Sequence, residues 1–359
     1  MEIIDQSRLD RFEDFFKTLK PSDNIALLHD TDPDGTTSGK IIYTALNRLG
    51  LKVAKLIGYK NHIISDEVIK SLQEEGITKL ITTDKTVDSG WEAIHKIEKF
   101  ADICVFDHHV IQNDISSPKT VFLKPQLIFN TSRPDQYCSA KFSYDLLNRI
   151  VKLEDLDWVC VCGIIGDMAA SAWPEFVNSV LRKYNLESKE DIFQTKLGRI
   201  TQLISFGEAM LDSEKCFQSF LKSKNINEAL ENLEKYKVIE EEVDYYYDHF
   251  DKLAVKKGTV YLLELKSVHF IKSIIASLVS KIKHPNSTVV VIQEINNWMT
   301  ISARRNDSKV DMNVLLKKSL LGLKGSGGGH VPAAGANVSL SDFVKFKENL
   351  LKINEEMET

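Results

Sequence analysis

The segment HDTDPDGTTSG places Asp30, Asp32 and Asp34 at alternate positions just past the apolar run NIALLH. Three carboxylates this close repel one another strongly unless a cation offsets them, and hard divalent ions prefer oxygen donors. A loop whose aspartates cap the next helix is the other reading of the same residues. An EF-hand is excluded because no Glu stands at its twelfth position. Two more acidic signals follow apolar runs in the same way: Asp84 directly follows LITT, and Asp107, His108 and His109 directly follow ICVF. In an open parallel sheet ligands gather at the carboxyl ends of the strands, so three such runs would bring acids and a histidine to one edge. Asp167, in GIIGDMAA, could supply a further carboxylate.

The elements needed to hold these residues are legible in the spacing. Leu9, Phe12, Phe16 and Leu19 follow helical periodicity, and Pro21 closes that helix before the first strand. TTSGKIIYTALNRLG then reads as a helix stopped by Gly50, LKVAKLIGY as a strand, SDEVIKSLQEEG as a helix and KLITT as a strand. WEAIHKIEKF is the next helix and DICVF the next strand. This alternation with short connections predicts an α/β fold with a parallel sheet. SAKFSYDLLNRIV, with Ser139 as its cap, and DLDWVCVCGIIGDM add two helices. Residues 185–255 are rich in charge and aromatics and poor in glycine, which predicts a helical connector. From Gly258 a smaller α/β domain follows: strands GTVYLLEL, TVVVIQEI, WMTISARR and GANVSL, helices IKSIIASLVSKIK and DMNVLLKKSLLG, the cluster GSGGGH, and a last helix capped by Ser341. The expected division is a metal-binding domain over 1–184, the connector over 185–255 and a substrate-binding domain over 256–359.

Composition narrows the function classes. The chain has 359 residues, 43% hydrophobic and 27% charged, enough for two globular cores. No run of about eighteen apolar residues exists, so no membrane is expected as a partner. The N-terminal stretch is acidic and amphipathic rather than a basic leader, which predicts a cytoplasmic protein. Five scattered cysteines without CxxC spacing argue against disulfides or a thiolate zinc site. A net charge of −5 argues against a surface built wholly as a track for duplex DNA, while leaving room for a local basic groove.

DTDPDG, TTDKTVDSG around Asp84, the DHH triplet and GIIGDM resemble, in order, the four motifs of the DHH phosphoesterase family. That family includes RecJ-type exonucleases, oligoribonucleases, cyclic dinucleotide phosphodiesterases and family II pyrophosphatases. SARR followed by GSGGGHVPAAGA resembles the associated substrate-binding domain of most members. The resemblance implies two manganese ions, with magnesium as the alternative, and Asp84 bridging both. Asp30 and Asp32 would serve one ion; Asp34, His108 and Asp167 would serve the other. His109 would orient a ligand or a phosphate oxygen, so that Asp84, His108 and His109 carry catalysis. Several members have a histidine where this chain has Asp30, and His29 stands immediately before it, so either side chain could face the metal. Two ions roughly 3.5–4 Å apart can lower the pKa of a shared water and offset charge on the leaving oxygen, with no protein nucleophile required.

In the second domain, GSGGGH offers backbone N–H groups unobstructed by side chains, suited to cradling a phosphate through Gly327, Gly328 and Gly329, with His330 as a further donor. Arg304 is the expected bidentate phosphate clamp, and strand alternation turns Arg305 to solvent. His62, His95, His249, His269 and His284 have no acid at ligand spacing in the sequence, and the run Tyr245, Tyr246, Tyr247 suits packing better than base stacking. The activity implied is a RecJ-like exonuclease on single-stranded DNA or RNA. The alternatives are cleavage of short oligonucleotides or dinucleotides, and a non-catalytic DNA-binding subunit of a replication complex. A replication or repair protein partner and a homodimer are compatible with each. Pyrophosphatase is disfavoured, because that subfamily lacks the GGGH domain.

Overall fold

A computed structural model describes residues 2–61, 63–131 and 133–358; His62 lies outside them. The chain forms two compact units, one comprising the residues up to Glu208 with Asp212–Lys235, the other Ala209–Leu211 with the residues from Tyr236 onward. The segment expected as a connector is thus divided: its helices before Lys235 pack in the first unit and those after it in the second.

The first unit is built on five parallel strands, β1 (Ile25–His29), β2 (Val53–Gly58), β3 (Lys79–Thr83), β4 (Asp102–Phe106) and β5 (Thr120–Leu123), in the order β2-β1-β3-β4-β5. Helices α1 (Gln6–Thr18), α2 (Pro33–Arg48), α3 (Asp66–Glu74) and α4 (Trp91–Ile97) alternate with the strands, and the short α5 (Pro125–Ile128) follows β5. Next come α6 (Ser139–Leu147), α7 (Asp157–Gly166), α8 (Pro174–Lys183), α9 (Lys196–Ala209), α10 (Ser213–Lys222) and α11 (Ile226–Leu233). The four-residue strand β5 is not among the predicted elements, because TVFL is too short for periodicity to separate it from loop. Strands buried on both faces explain the continuous apolar runs: every residue of β1 and β5 is buried. Phe12 and Phe16 of α1 pack on Phe106 at the end of β4, with ring centroids 5.9 and 6.3 Å apart. Lys40 of α2 secures α10 by donating from Nζ to the carbonyls of Phe220 (2.5 Å) and Ser223 (2.6 Å), satisfying acceptors that the helix end leaves unpaired. Burial pushes this ammonium down to about 8.

The second unit has a six-stranded sheet in the order β10-β11-β9-β8-β7-β6, antiparallel except for the β7–β8 pair. Its strands are β6 (Val255–Lys257), β7 (Val260–Leu265), β8 (Thr288–Ile295), β9 (Trp298–Arg304), β10 (Gly325–Gly329) and β11 (Ala333–Ser339). The helices are α12 (Glu240–Asp248), α13 (Phe250–Leu253), α14 (Lys272–Leu278), α15 (Met312–Ser319) and α16 (Phe343–Glu358). Val290, Ile292, Ile301, Leu315, Phe346 and Leu350 belong to one apolar core.

Several local expectations are corrected. Arg305 does not face solvent: β9 ends at Arg304, alternation ends with it, and the Arg305 guanidinium is buried against Asp307, Thr288 and Glu358. Ser139 is the first residue of α6 rather than its cap, and Ser341 lies in a single 3-10 turn before α16. His269 and His284 have acid partners that sequence spacing cannot show, Glu242 and Asp251, each at 2.6 Å. Tyr246 is buried and donates to the Lys266 carbonyl, whereas Tyr245 is exposed. No described helix is long and apolar enough to cross a membrane.

Candidate metal centre

The strand order reverses between β1 and β3, and the loops leaving the carboxyl ends of these two neighbours carry Asp30–Asp34 and Asp84. That is where a doubly wound sheet opens a crevice for a ligand. Beside them, β4 delivers Asp107, His108 and His109, and the C-terminal end of α7 delivers Asp167.

His108 is buried at the centre of the group. Its Nε2 lies 3.5 Å from Asp84 Oδ1 and 4.0 Å from Asp34 Oδ2, and its Nδ1 lies 3.7 Å from Asp167 Oδ2 and 3.2 Å from the Asp135 carbonyl. With Nδ1 donating to that carbonyl, the Nε2 lone pair is directed at the acids, the tautomer a metal ligand needs. Asp34, His108 and Asp167 each offer a ligand atom within 4.8 Å of the others, as do Asp84, Asp107 and His109. Asp167 Oδ2 is buried without a hydrogen-bond partner.

Asp34 is fixed by the N-terminus of α6, accepting from Ser139 N (2.7 Å) and Ala140 N (2.9 Å). Asp84 accepts from Ser139 Oγ at 3.0 Å. It adopts φ +59°, a conformation few non-glycine residues take, and so departs from the straight path of β3. Asp32 caps α2 through Gly35 N at 2.8 Å, so the capping reading of this aspartate holds at the level of its hydrogen bond. The carboxylate of Asp30 turns to Lys85, and both residues stand outside the two ligand groups. His29 is packed between Phe217 (ring centroids 4.0 Å apart) and Gly39, and burial drives its imidazole down to about 4.

The electrostatics are those of a site short of positive charge. Burial raises Asp32 to about 7, reinforced by Asp30 and Asp34, and raises Asp34 to about 6 against its backbone hydrogen bonds. Burial and the neighbouring carboxylates raise Asp84 and Asp167 well above the usual range. Asp107 behaves oppositely. Burial alone would raise it, but the charge and hydrogen bond of His109 and the ammonium of Lys124 hold it well below. Asp107 Oδ1 lies 2.7 Å from His109 Nδ1, and Lys124 Nζ lies 2.8 Å from Asp107 Oδ2 and 3.2 Å from Asp88. The buried Lys124, Asp88, Ser139 and Lys85 are the residues that sequence reading missed. Only three-dimensional proximity reveals them, although a lysine directly after a strand-end aspartate is a weak signal.

Gly163 shows why α7 can approach so closely. A Cβ there would come within 2.3 Å of Ala140 Cβ and 3.0 Å of Asp34 Oδ1. Gly163→Ala is expected to cost about 1–3 kcal/mol by overpacking and to weaken binding of divalent ions by displacing Asp34. Thermal unfolding and a manganese titration of the variant check both; unchanged metal affinity would show that the acids tolerate the shift.

In the second unit, Gly325–Gly329 forms the edge strand β10 paired with β11, not the open loop expected, although an edge strand still directs alternate N–H groups outward. Gly327 and Gly328 are half-buried, Gly329 is exposed, and His330 donates its backbone N–H to the Ala333 carbonyl at 2.8 Å. Arg304 is half-buried, donating to Ser277 Oγ and to the carbonyls of Ala303 and Ala334, and burial lowers it to about 10. Among the described residues no carboxylate pairs with it.

Comparison with known proteins places this architecture. A family model for the DHHA1 domain matches residues 268–358. The fold is similar to that of RecJ from Thermus thermophilus in complex with Mn2+, at TM-score 0.75 and 17% identity over 98% of this chain and 55% of that one. The chain therefore spans little more than half the length of that protein. It is also similar to the DHH domain of a protein assigned to a family of ribosomal proteins, at TM-score 0.72 and 16% identity over 97% of this chain and 90% of that one. A third likeness is to an exonuclease RecJ bound to manganese, at TM-score 0.68 and 17% identity over 98% and 95%. No curated protein sequence matches the chain. The protein thus has the RecJ-like DHH fold and carries a C-terminal DHHA1 domain.

Proposed function

We propose that this protein is a divalent-metal-dependent phosphodiesterase that shortens single-stranded DNA or RNA as an exonuclease. The observation that carries the reading is the convergence of Asp34, Asp84, Asp167 and His108 within ligand reach, with a buried Asp167 oxygen left unpaired. Carboxylate oxygens with one imidazole nitrogen fit manganese, and magnesium less well, because nitrogen donors suit the softer ion. Asp34, His108 and Asp167 would hold one ion, Asp30 and Asp32 a second, and Asp84 would be shared. Ions there would supply electrophilic activation of water and of phosphate oxygens.

The chain's own residues do the remaining work. The Asp107–Lys124 pair keeps the His109 ring oriented by its Nδ1, so that the imidazole can orient a phosphate oxygen. Arg304 supplies a guanidinium for a substrate phosphate, with the Gly327–Gly329 edge and His330 as further donors. The likeness to an exonuclease RecJ bound to manganese supports the same reading.

The test is to incubate purified protein with manganese and end-labelled DNA and RNA strands of graded length. Stepwise shortening of single strands is expected, with manganese better than magnesium and none in excess chelator. Shortening in chelator would sink the metal-dependent reading, and cleavage confined to dinucleotides would favour the short-oligonucleotide alternative. Arg304→Ala is expected to raise KM by about 10–150-fold, the loss of one hydrogen bond to a charged group at about 1.5–3 kcal/mol, while leaving metal affinity unchanged. Loss of metal binding in that variant would contradict a substrate-binding role.

A further inference from the structure

Asp84 and Lys85 are adjacent, and both side chains are turned inward. The φ of +59° at Asp84 permits this, since a regular strand would send neighbours to opposite faces. The Lys85 ammonium is completely enclosed and lies 2.6 Å from Asp30 Oδ2, and the other oxygen of Asp30 accepts the Thr31 N–H, also at 2.6 Å. Among the described residues the Lys85 ammonium donates to no other acceptor, and the Tyr59 ring centroid lies 6.0 Å from it. Gly35 lets the loop close on this pair, because a Cβ there would come within 2.5 Å of Asp30 Cβ. Asp30 therefore cannot turn from Lys85 without stranding a buried ammonium.

We propose that Lys85 makes the two metal positions unequal: its ammonium already neutralises Asp30, so the ion served by Asp30 and Asp32 binds weakly, while the ion served by Asp34, His108 and Asp167 binds tightly. This rests on the metal-dependent reading above and deepens it. An ion approaching Asp30 must share a carboxylate with a fixed positive charge in a poorly solvated place, where like charges repel far more than in water. At the other position no described lysine or arginine pairs with Asp34 or Asp167; Asp34 is held by the Ser139 and Ala140 N–H groups and the Cys138 side chain, and both acids face the His108 ring. Activity would then follow the filling of the weaker position, making Lys85 the residue that sets the metal concentration the protein responds to.

The experiment is calorimetric titration of the full chain with manganese alone, without nucleic acid, for wild type, Lys85→Gln and Lys85→Arg. Wild type is expected to show two classes of site at least tenfold apart in affinity. Lys85→Gln should strengthen the weaker class at least tenfold, with the tighter class moving less; Lys85→Arg, which keeps the charge, should preserve the gap. Two equal classes in wild type overturn the proposal without any variant, so it stays testable if Lys85→Gln fails to fold. A weaker class unmoved by Lys85→Gln overturns it as well. Absence of manganese binding in wild type would instead sink the metal-dependent reading, and the proposal with it.

Discussion

Asp84→Asn is expected to reduce turnover on single-stranded substrate by about a thousandfold or more while leaving the protein folded. Asp84 stands 3.5 Å from His108 Nε2, is buried, and is the acid we propose both ions share. Asparagine keeps the oxygen that accepts from Ser139 Oγ, so the packing around α6 survives and the charge alone is removed. Metal ions contribute several kcal/mol of charge stabilisation in phosphoryl hydrolysis, and each 1.36 kcal/mol is a factor of ten in rate. Stability in chelator should hold or rise, because Asp84 is raised by its burial and by Asp34, Asp32 and Asp30, whose repulsion the substitution relieves. Single-turnover digestion together with a melting curve decides the matter. A variant within tenfold of wild type would remove Asp84 from the reaction.

The second large effect concerns pH. In the metal-free protein burial raises Asp34 from 3.8 to about 6 and Asp32 to about 7, with Asp84 and Asp167 also high. A carboxyl whose folded pKa exceeds its unfolded value binds its proton more tightly when folded. Its contribution is therefore complete below the unfolded value and is lost as pH rises to the folded one. Chelated protein should accordingly lose stability between about pH 4 and 7, Asp34 alone accounting for roughly 3 kcal/mol at 1.36 kcal/mol per unit. Asp107, held low by His109 and Lys124, has the opposite sign, and its contribution is lost only as pH falls below the ordinary carboxylate range. Manganese should reverse the loss increasingly toward the upper end of this window, as its ligands give up their protons, by about 2.7 kcal/mol per site at a hundredfold excess over Kd. Melting curves from pH 4 to 8 with chelator and with manganese test this. Chelated stability that stays flat or climbs across the window would show that the acids are balanced by something other than a metal.

How much of this was legible in the sequence follows from the kind of signal each part leaves. The apolar runs NIALLH, KLITT and DICVF are buried strands and read as such, and the acids after them had to meet once the sheet was parallel. TVFL left too short a pattern to be seen as a strand. GSGGG carries one short side chain, that of Ser326, too few for alternation to be read, so its place at a sheet edge was hidden. Lys85 and Lys124 were invisible for a different reason: a lysine is ordinarily a surface residue, and only burial beside Asp30 and Asp107 reveals its part. Arg305 failed the alternation rule because the strand stopped one residue before it.

The sheet order has a kinetic consequence. Each parallel pair needs a crossover before it can form, and Asp34, His108 and Asp167 come from widely separated stretches of chain. An unfolded chain therefore presents no complete chelate, and metal cannot act as a seed in the way it does for a zinc finger. On the metal-dependent reading proposed above, manganese would close on a sheet that has already been assembled. Its grip should show as slower unfolding, with the rate of refolding little changed.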